Sequence, residues 1–471
     1  MLRIAALTLV FCGFGTGFGE TSPSSGSRTL TSLAQLRELQ VDGSGRPARI
    51  HVRAVVTYYD PVGPDLFVQD AAAGIWVDLR GLKVPPPKVG QLLDLRGTGG
   101  AGFSPYVANP QWKNLGTAPL PDPVRVSFEQ AATGSSDSQW VEMEGVVRSF
   151  VLEAEGSVLV IDTATPTGVF TVRVPNYHAP FPMAMVDAKV RFQGVCGAAF
   201  NRRNQLVAIH LMMPGMEYSN VLKAAPADPF AVLATPVTKI GTFSAQSDDL
   251  HRVKVIGTIT ARFPAQGIFL MDATGGVYAE SQDGFTGNQG DEVEVVGFPA
   301  RGNYSTVLRS AAIRPMGKHQ SLIPVRIDGQ SALKGGYDAG LVRISGTVQA
   351  VNPVNGSYSL AMQSDDHVNF AANFAVPAEH GLPPSIGSRL QLTGICSIKT
   401  DENGNPSVFE IVLRSPHDID LLASPPLADQ SARGFHRFCI RNPDNGGFRV
   451  GRHFAQAGSQ PDATHQSPAR K

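Results

Sequence analysis

The sequence predicts an all-β chain: four tandem OB-like five-stranded barrels in an ABAB arrangement, with short connecting helices. Three observations predict it. A strand of the form V-x-x-x-G-x-V/I recurs four times with small variations, and 49 Gly and 35 Pro supply the turns that many short strands need. Every second repeat also carries a G-[IV]-C mark at the end of its fourth strand, in Gly194-Val195-Cys196 and Gly394-Ile395-Cys396. A chain of 471 residues has room for three or four ordinary domains.

The first strand of each repeat reads in turn as residues 52–57, 141–147, 253–259 and 342–348. Each alternates apolar with polar residues, the period of a strand with one buried face. Gly145, Gly257 and Gly346 stand where a barrel strand bends or bulges. A turn and a second strand follow, ending in Asp70, Asp162 and Asp272 in three repeats and weakening to Gln363-Ser364-Asp365 in the last. Third strands read as Gly74-Ile75-Trp76-Val77-Asp78 and Gly276-Val277-Tyr278-Ala279-Glu280. Fourth strands run from one turn Gly to the next, as in 90–97 and 290–297, and fifth strands such as 206–209 and 409–413 complete the unit. Five strands in roughly 80–100 residues, with bent first strands, fit a small closed barrel, which also removes exposed sheet edges.

Pro-rich joints separate the repeats. The predicted organisation is a signal peptide over 1–19, a linker over 20–29, barrels over 30–121 and 122–223, a linker over 224–236, and barrels over 237–322 and 323–426. A basic tail over 427–471, with no sustained apolar period, reads as disordered. Leu30, Leu33, Leu36 and Leu39 mark a short helix ahead of the first barrel, with Ser32 as its cap. One Arg, an apolar run from Ile4 to Phe11 and a small-residue stretch at Gly17-Phe18-Gly19 give the signal peptide its pattern, so the mature chain is expected in the periplasm or secreted. No later stretch is apolar enough to span a bilayer.

Chemistry is sparse. There is no G-x-S-x-G elbow and no H-x-H, H-E-x-x-H or C-x-x-C spacing, so no catalytic residue, metal ligand or cofactor is assigned. Cys196 and Cys396 read as small core residues in separate barrels rather than as a disulfide pair, and Cys439 falls in the tail. Asp365-Asp366-His367 reads as a solvated turn, and Asp401-Glu402-Asn403-Gly404-Asn405 as a hairpin turn. Asp70, Asp162 and Asp272 read as caps on the turns that follow them. The aromatics are the better functional lead. Phe67 and Phe269 match on second strands, Trp76 and Tyr278 on third strands, and Tyr58-Tyr59 close the first strand of repeat one. These six are the candidate ligand-binding residues, because OB barrels use those strands for ligands; filling the barrel interior is the competing role.

The order of Leu33-Ala34-Gln35-Leu36-Arg37, Val55-Val56-Thr57-Tyr58-Tyr59-Asp60-Pro61, Leu66-Phe67-Val68-Gln69-Asp70 and Gly74-Ile75-Trp76-Val77-Asp78 resembles the extracytoplasmic region of large bacterial sensor histidine kinases of the acidobacterial type. Arg414-Ser415-Pro416-His417-Asp418-Ile419 resembles the segment ahead of their membrane helix, and the resemblance spans residues 30–426. It implies an input module for a signal. Those kinases continue into a membrane helix and an ATP-binding domain, whereas Pro426 here leads into a polar tail without an H-box, N-box or ATP lid. The expectation is therefore a free-standing module or a truncated kinase that binds a small molecule or an envelope protein without catalysis. Forty Lys+Arg against forty Asp+Glu, with export, weigh against nucleic acid as the partner. A nucleic-acid-binding OB protein and an envelope adhesion or structural protein are the alternatives.

Overall fold

The structure is a computed structural model describing residues 29–425, except 39–47, 64, 83–84, 101–103, 154–156, 202, 204–205, 242–249, 264–265, 282–284, 355–356 and 375–381. The predicted signal peptide, the tail and Cys439 lie outside the described residues. The described residues form two compact units, one within residues 29–122 with Asp137–Trp140 and the other within residues 123–136 with 141–425.

The first unit holds β1 (Thr29–Leu30), α1 (Leu33–Glu38), β2 (Arg49–Asp60), β3 (Asp65–Gln69), β4 (Gly74–Asp78), β5 (Gln91–Gly100) and β6 (Tyr106–Thr117). β2 pairs with β3, β3 with β4, β4 in parallel with β6, β6 with β5, and β5 back with β2, so the sheet closes. The predicted helix starts later than its Leu spacing suggests, because Leu30 belongs to β1 beside Ile50.

In the second unit the second barrel comprises β7 (Val124–Arg125), α2 (Phe128–Ala132), β8 (Trp140–Glu153), β9 (Val158–Thr165), β10 (Gly168–Pro175), β11 (Lys189–Phe200), β12 (Leu206–Met212) and β13 (Ser219–Lys223). The third comprises β14 (Val253–Phe263), β15 (Gly267–Met271), β16 (Gly276–Glu280), β17 (Asp291–Arg301) and β18 (Thr306–His319). The fourth comprises β19 (Val325–Arg326), α3 (Gly329–Leu333), β20 (Leu341–Val354), β21 (Ser357–Ser364), β22 (Asn369–Phe374), β23 (Arg389–Thr400), β24 (Pro406–Leu413) and β25 (Ile419–Ala423). All three repeat the circuit first–second–third–fifth–fourth–first, with the third and fifth strands parallel. That is the five-stranded Greek-key barrel of the OB fold.

Alternation fills each barrel. In the first, Val56, Leu66, Val68, Ile75, Val77, Leu93 and Leu95 point inward and are buried. Each first strand carries a bulge at the same place, after Val56, Val147, Ile259 and Val348. The strand glycines lie two residues earlier, so they do not make the bulge. They allow close approach: a Cβ on Gly257 or Gly346 would sit 2.7 or 2.6 Å from the carbonyl oxygen of Met271 or Gln363 on the second strand.

The ABAB order has a structural basis. In the first and third barrels the fifth strand is long, 12 and 14 residues, and covers the start of the fourth strand itself. In the second and fourth it is 7 and 8 residues, and a sixth strand, β13 or β25, pairs there instead. Cys196 and Cys396 are buried in the cores of the second and fourth barrels, and burial pushes the Cys396 thiol up to about 12.

Candidate functional site

The residue just after each bulge starts a row that crosses the outside of the barrel. In the first barrel the row is Tyr58, Phe67, Trp76 and Tyr106, each paired with the next across β2, β3, β4 and β6. In the third it begins Ala261, Phe269 and Tyr278. In the second it is Ser149, Asp162, Thr171 and His210, and in the fourth Ala350, Ala361, Ala371 and Glu410. The A barrels thus carry aromatic rows, and the B barrels carry polar or small ones.

Five of the six candidate aromatics, all but Tyr59, therefore face outward and do not fill the barrel interior. Tyr58 and Phe67 are nonetheless buried, with ring centroids 6.2 Å apart in an edge-on pair. Trp76 is partly exposed, donates from Nε1 to Asp65 at 3.1 Å, lies 5.2 Å from the Tyr106 ring and has the Arg80 guanidinium 5.8 Å above it. Tyr59 turns the other way, onto the rim of the core, where burial and then the Asp60 charge push its hydroxyl pKa up.

Phe269 and Tyr278 are committed to packing. With Ala261 and Phe263 they bury against Ala339, Leu341, Ile395 and Val412 of the fourth barrel. Phe269 lies 4.9 Å from Tyr278 and 5.7 Å from Phe263, and the Tyr278 hydroxyl donates to the Gln266 carbonyl at 2.7 Å. A clasp reinforces the contact. Arg414 donates to the carbonyl of Thr260, the extra residue of the β14 bulge, at 3.1 Å, and Asp418 holds the same guanidinium at 2.6 Å. The Arg414–Asp418 motif noted in the sequence thus ties the last two barrels together. A ligand has no access to Phe269 or Tyr278.

Asp162 departs from its expected role as a cap. It lies within β9, on the outer row, and its carboxylate accepts from the Ser149 hydroxyl at 2.8 Å. Asp70 and Asp272 are caps. Asp70 accepts from Ala72, Ala73 and the first amide of α1, Leu33, at 2.8, 2.8 and 2.7 Å. Asp272 accepts from Thr274, Gly275 and Val237 at 2.7, 3.0 and 2.9 Å. Burial would raise its pKa, but these hydrogen bonds hold it below the usual carboxylate range. In the fourth repeat Asp366 takes over this task, accepting from Gly329 and Gln330 at the start of α3. Asp401 accepts from Asn403 and Asn405 in the hairpin turn.

Two polar outer faces remain. On the second barrel Thr171 Oγ1 meets His210 Nδ1 at 2.5 Å, and burial, then the Arg173 charge, lower the imidazole pKa. Arg173 is itself paired with Glu153 at 2.8 Å. On the fourth barrel Ser359 Oγ donates to Asn373 Oδ1 at 2.5 Å, Asn373 Nδ2 donates to Glu410 at 3.0 Å, and Lys399 meets the same carboxylate oxygen at 3.1 Å. The sequence signal for these faces was the absence of aromatics from the outward-facing positions of the second and third strands of repeats two and four; Phe170, Tyr358, Phe370 and Phe374 on those strands belong to the cores. Among the described residues no three His, Cys, Asp or Glu side chains converge on a metal-sized site, and no helix is long and apolar enough to cross a membrane.

No family model matches the sequence, and comparison with curated proteins finds no match. Among solved structures, the HINb domain of p204 aligns at 10% identity over 38% of this chain and 97% of its own, with a TM-score of 0.19. A murine DNA-binding protein bound with double-stranded DNA aligns at 13% over 39% and 97%, with a TM-score of 0.19. Fission yeast Pot1 with single-stranded DNA aligns at 11% over 42% and 89%, with a TM-score of 0.21. Similarities of this size add nothing to the barrel topology given by the strand pairings.

Proposed function

We propose that this chain is an exported, non-catalytic binding module, of the kind that forms the input half of bacterial sensors, and that the polar outer faces of its second and fourth barrels take the ligand. One observation carries the reading. The third barrel spends its aromatic row on the fourth barrel, while the corresponding rows in the second and fourth barrels are polar or small and partly exposed. A face that is not needed for packing, and is lined by ordered hydrogen-bonding side chains, is equipped for recognition.

The absence of catalysis is supported by how the titratable groups on these faces are occupied. Asp162 is engaged by Ser149, His210 by Thr171 and Glu410 by Lys399 and Asn373. Two of these contacts, Ser149–Asp162 and Thr171–His210, set a hydroxyl beside a base, but neither contact includes the third group that orients the base in a catalytic triad. Glu410 is ion-paired with Lys399, and Arg173 on the second barrel with Glu153, so these cations are already engaged, which supports a small neutral ligand over a phosphate backbone.

The test is a thermal-shift screen of the mature chain against sugars, amino acids and aromatic compounds. A ligand that raises the melting temperature, with the rise lost in Thr171→Val or Ala361→Phe, supports the reading. No shift with any class, or a shift indifferent to both substitutions, defeats it. Export is tested separately: the periplasmic or secreted protein should begin near residue 20, and recovery only in the cytoplasm with Met1 retained overturns that part.

A further inference from the structure

We infer that the outer face of the fourth barrel is a groove for a neutral saccharide chain; this deepens the binding reading above and rests on it. The floor is made of Ala350, Ala361 and Ala371, side by side on β20, β21 and β22 and partly exposed. At these positions the first barrel has Tyr58, Phe67 and Trp76, and the second has Ser149, Asp162 and Thr171. Only in the fourth barrel do all three side chains end at Cβ, so only there does the row form a trough.

Amides and hydroxyls flank it. On one side Gln363 donates to Asn369 at 3.3 Å. On the other stand Asn352, Ser359 and Asn373, with Ser359 and Glu410 fixing the Asn373 amide from both ends. Gln363 and Ser359 are four residues apart on β21, so the flanks stand about 13 Å apart at the usual strand rise, wide enough for a single chain of sugar rings.

Charge decides the ligand class. Glu410 is paired with Lys399 at 3.1 Å, and Asp365 at the rim with Arg389 at 2.6 Å, so the face offers hydrogen-bond donors and acceptors with its charges cancelled. A phosphate or carboxylate polymer finds no unpaired cation among these groups. A peptide finds no pocket for its side chains on an alanine floor. Sugar rings present apolar C–H faces to the alanine methyls and hydroxyls to both flanks.

The experiment is native affinity electrophoresis of the full chain in gels containing hydroxyethyl cellulose, soluble starch, galactomannan or xylan, with polygalacturonate and oligo-dT as charged controls. The decisive variant is Ala361→Phe, which fills the trough with the residue that stands at this position in the first and third barrels; circular dichroism checks that it folds. Asn373→Ala is the second variant. Retardation by a neutral polysaccharide is expected, weakened at least about tenfold by Ala361→Phe and partly by Asn373→Ala. Retardation unchanged by Ala361→Phe, or seen only with polygalacturonate or oligo-dT, overturns the inference. If no polysaccharide retards the chain while the thermal-shift screen finds another ligand sensitive to Ala361→Phe, the saccharide assignment falls and the binding reading stands. If neither experiment finds a ligand, both fall.

Discussion

The third and fourth barrels have the same strand circuit and put opposite surfaces on the same outer row. Phe269 and Tyr278 make the third barrel's row adhesive, and it is covered. Ala361 and Ala371 make the fourth barrel's row bare, and it is partly open. The core decides the fold, and residues alternating with it decide whether a face is covered by a neighbouring barrel or left partly open. Duplication of a two-barrel unit can preserve that division of labour.

Substitutions on the two kinds of face should differ sharply. Phe269→Ala removes a ring buried between barrels and is expected to destabilise the chain by about 3–5 kcal/mol, read by denaturant unfolding. A change under 1 kcal/mol would mean that the interface is not a packed core. Arg414→Met leaves the Asp418 carboxylate, whose side chain is 7% exposed, without its cation. The expected loss is about 3 kcal/mol, and calorimetry should show the transitions of the last two barrels separating.

Asp272→Ala removes a turn cap and should lower stability by about 1 kcal/mol, whereas Asp162→Ala on the outer row of the second barrel should change it by less than about 0.5 kcal/mol. Equal effects would break the distinction between cap and face. Asp272 also sets a pH dependence. Its folded pKa is depressed, so its contribution is complete above about pH 4 and is lost as pH falls through the folded value. Asp272→Asn should flatten that part of the acid-stability curve. The smallest effect belongs to His210. Its pKa is lowered in the folded chain, so stability should decline as pH falls below about 6.5, and its ring resonances should titrate with a midpoint below that of free histidine.

Much of the fold is legible in residue spacing. Val253 to Ile259 announces β14 by alternation, Ile268 to Met271 announces β15 as a short apolar run ending at Asp272, and Gly194-Val195-Cys196 with Gly394-Ile395-Cys396 announce the pairing of alternate repeats. Asp162 was harder to place because its resemblance to Asp70 and Asp272 is local. β9 is 8 residues long where β3 and β15 are 5, so the Asp that follows Gln69 and Met271 at a turn falls in mid-strand after Ile161. For the site, alternation identifies which side chains face out. It says nothing about what lies against them, and so Phe269 and Trp76 looked alike although Phe269 is sealed against the fourth barrel and Trp76 is partly exposed. The alanine floor was silent because Ala at a strand position carries no functional signature until its neighbours across the sheet are known.

The covered face has a consequence for synthesis. The third barrel is complete once His319 has been made, but its partner surface draws on Leu341, Ile395 and Val412. At ~5–20 residues per second the ribosome needs roughly 5–20 seconds to supply the remaining strands. For that interval Phe263, Phe269 and Tyr278 have no cover from the fourth barrel. A gene cut just after the third barrel would make that exposure permanent, so shortened versions of this array should remain dispersed when they end after a fourth barrel and should clump when they end after a third.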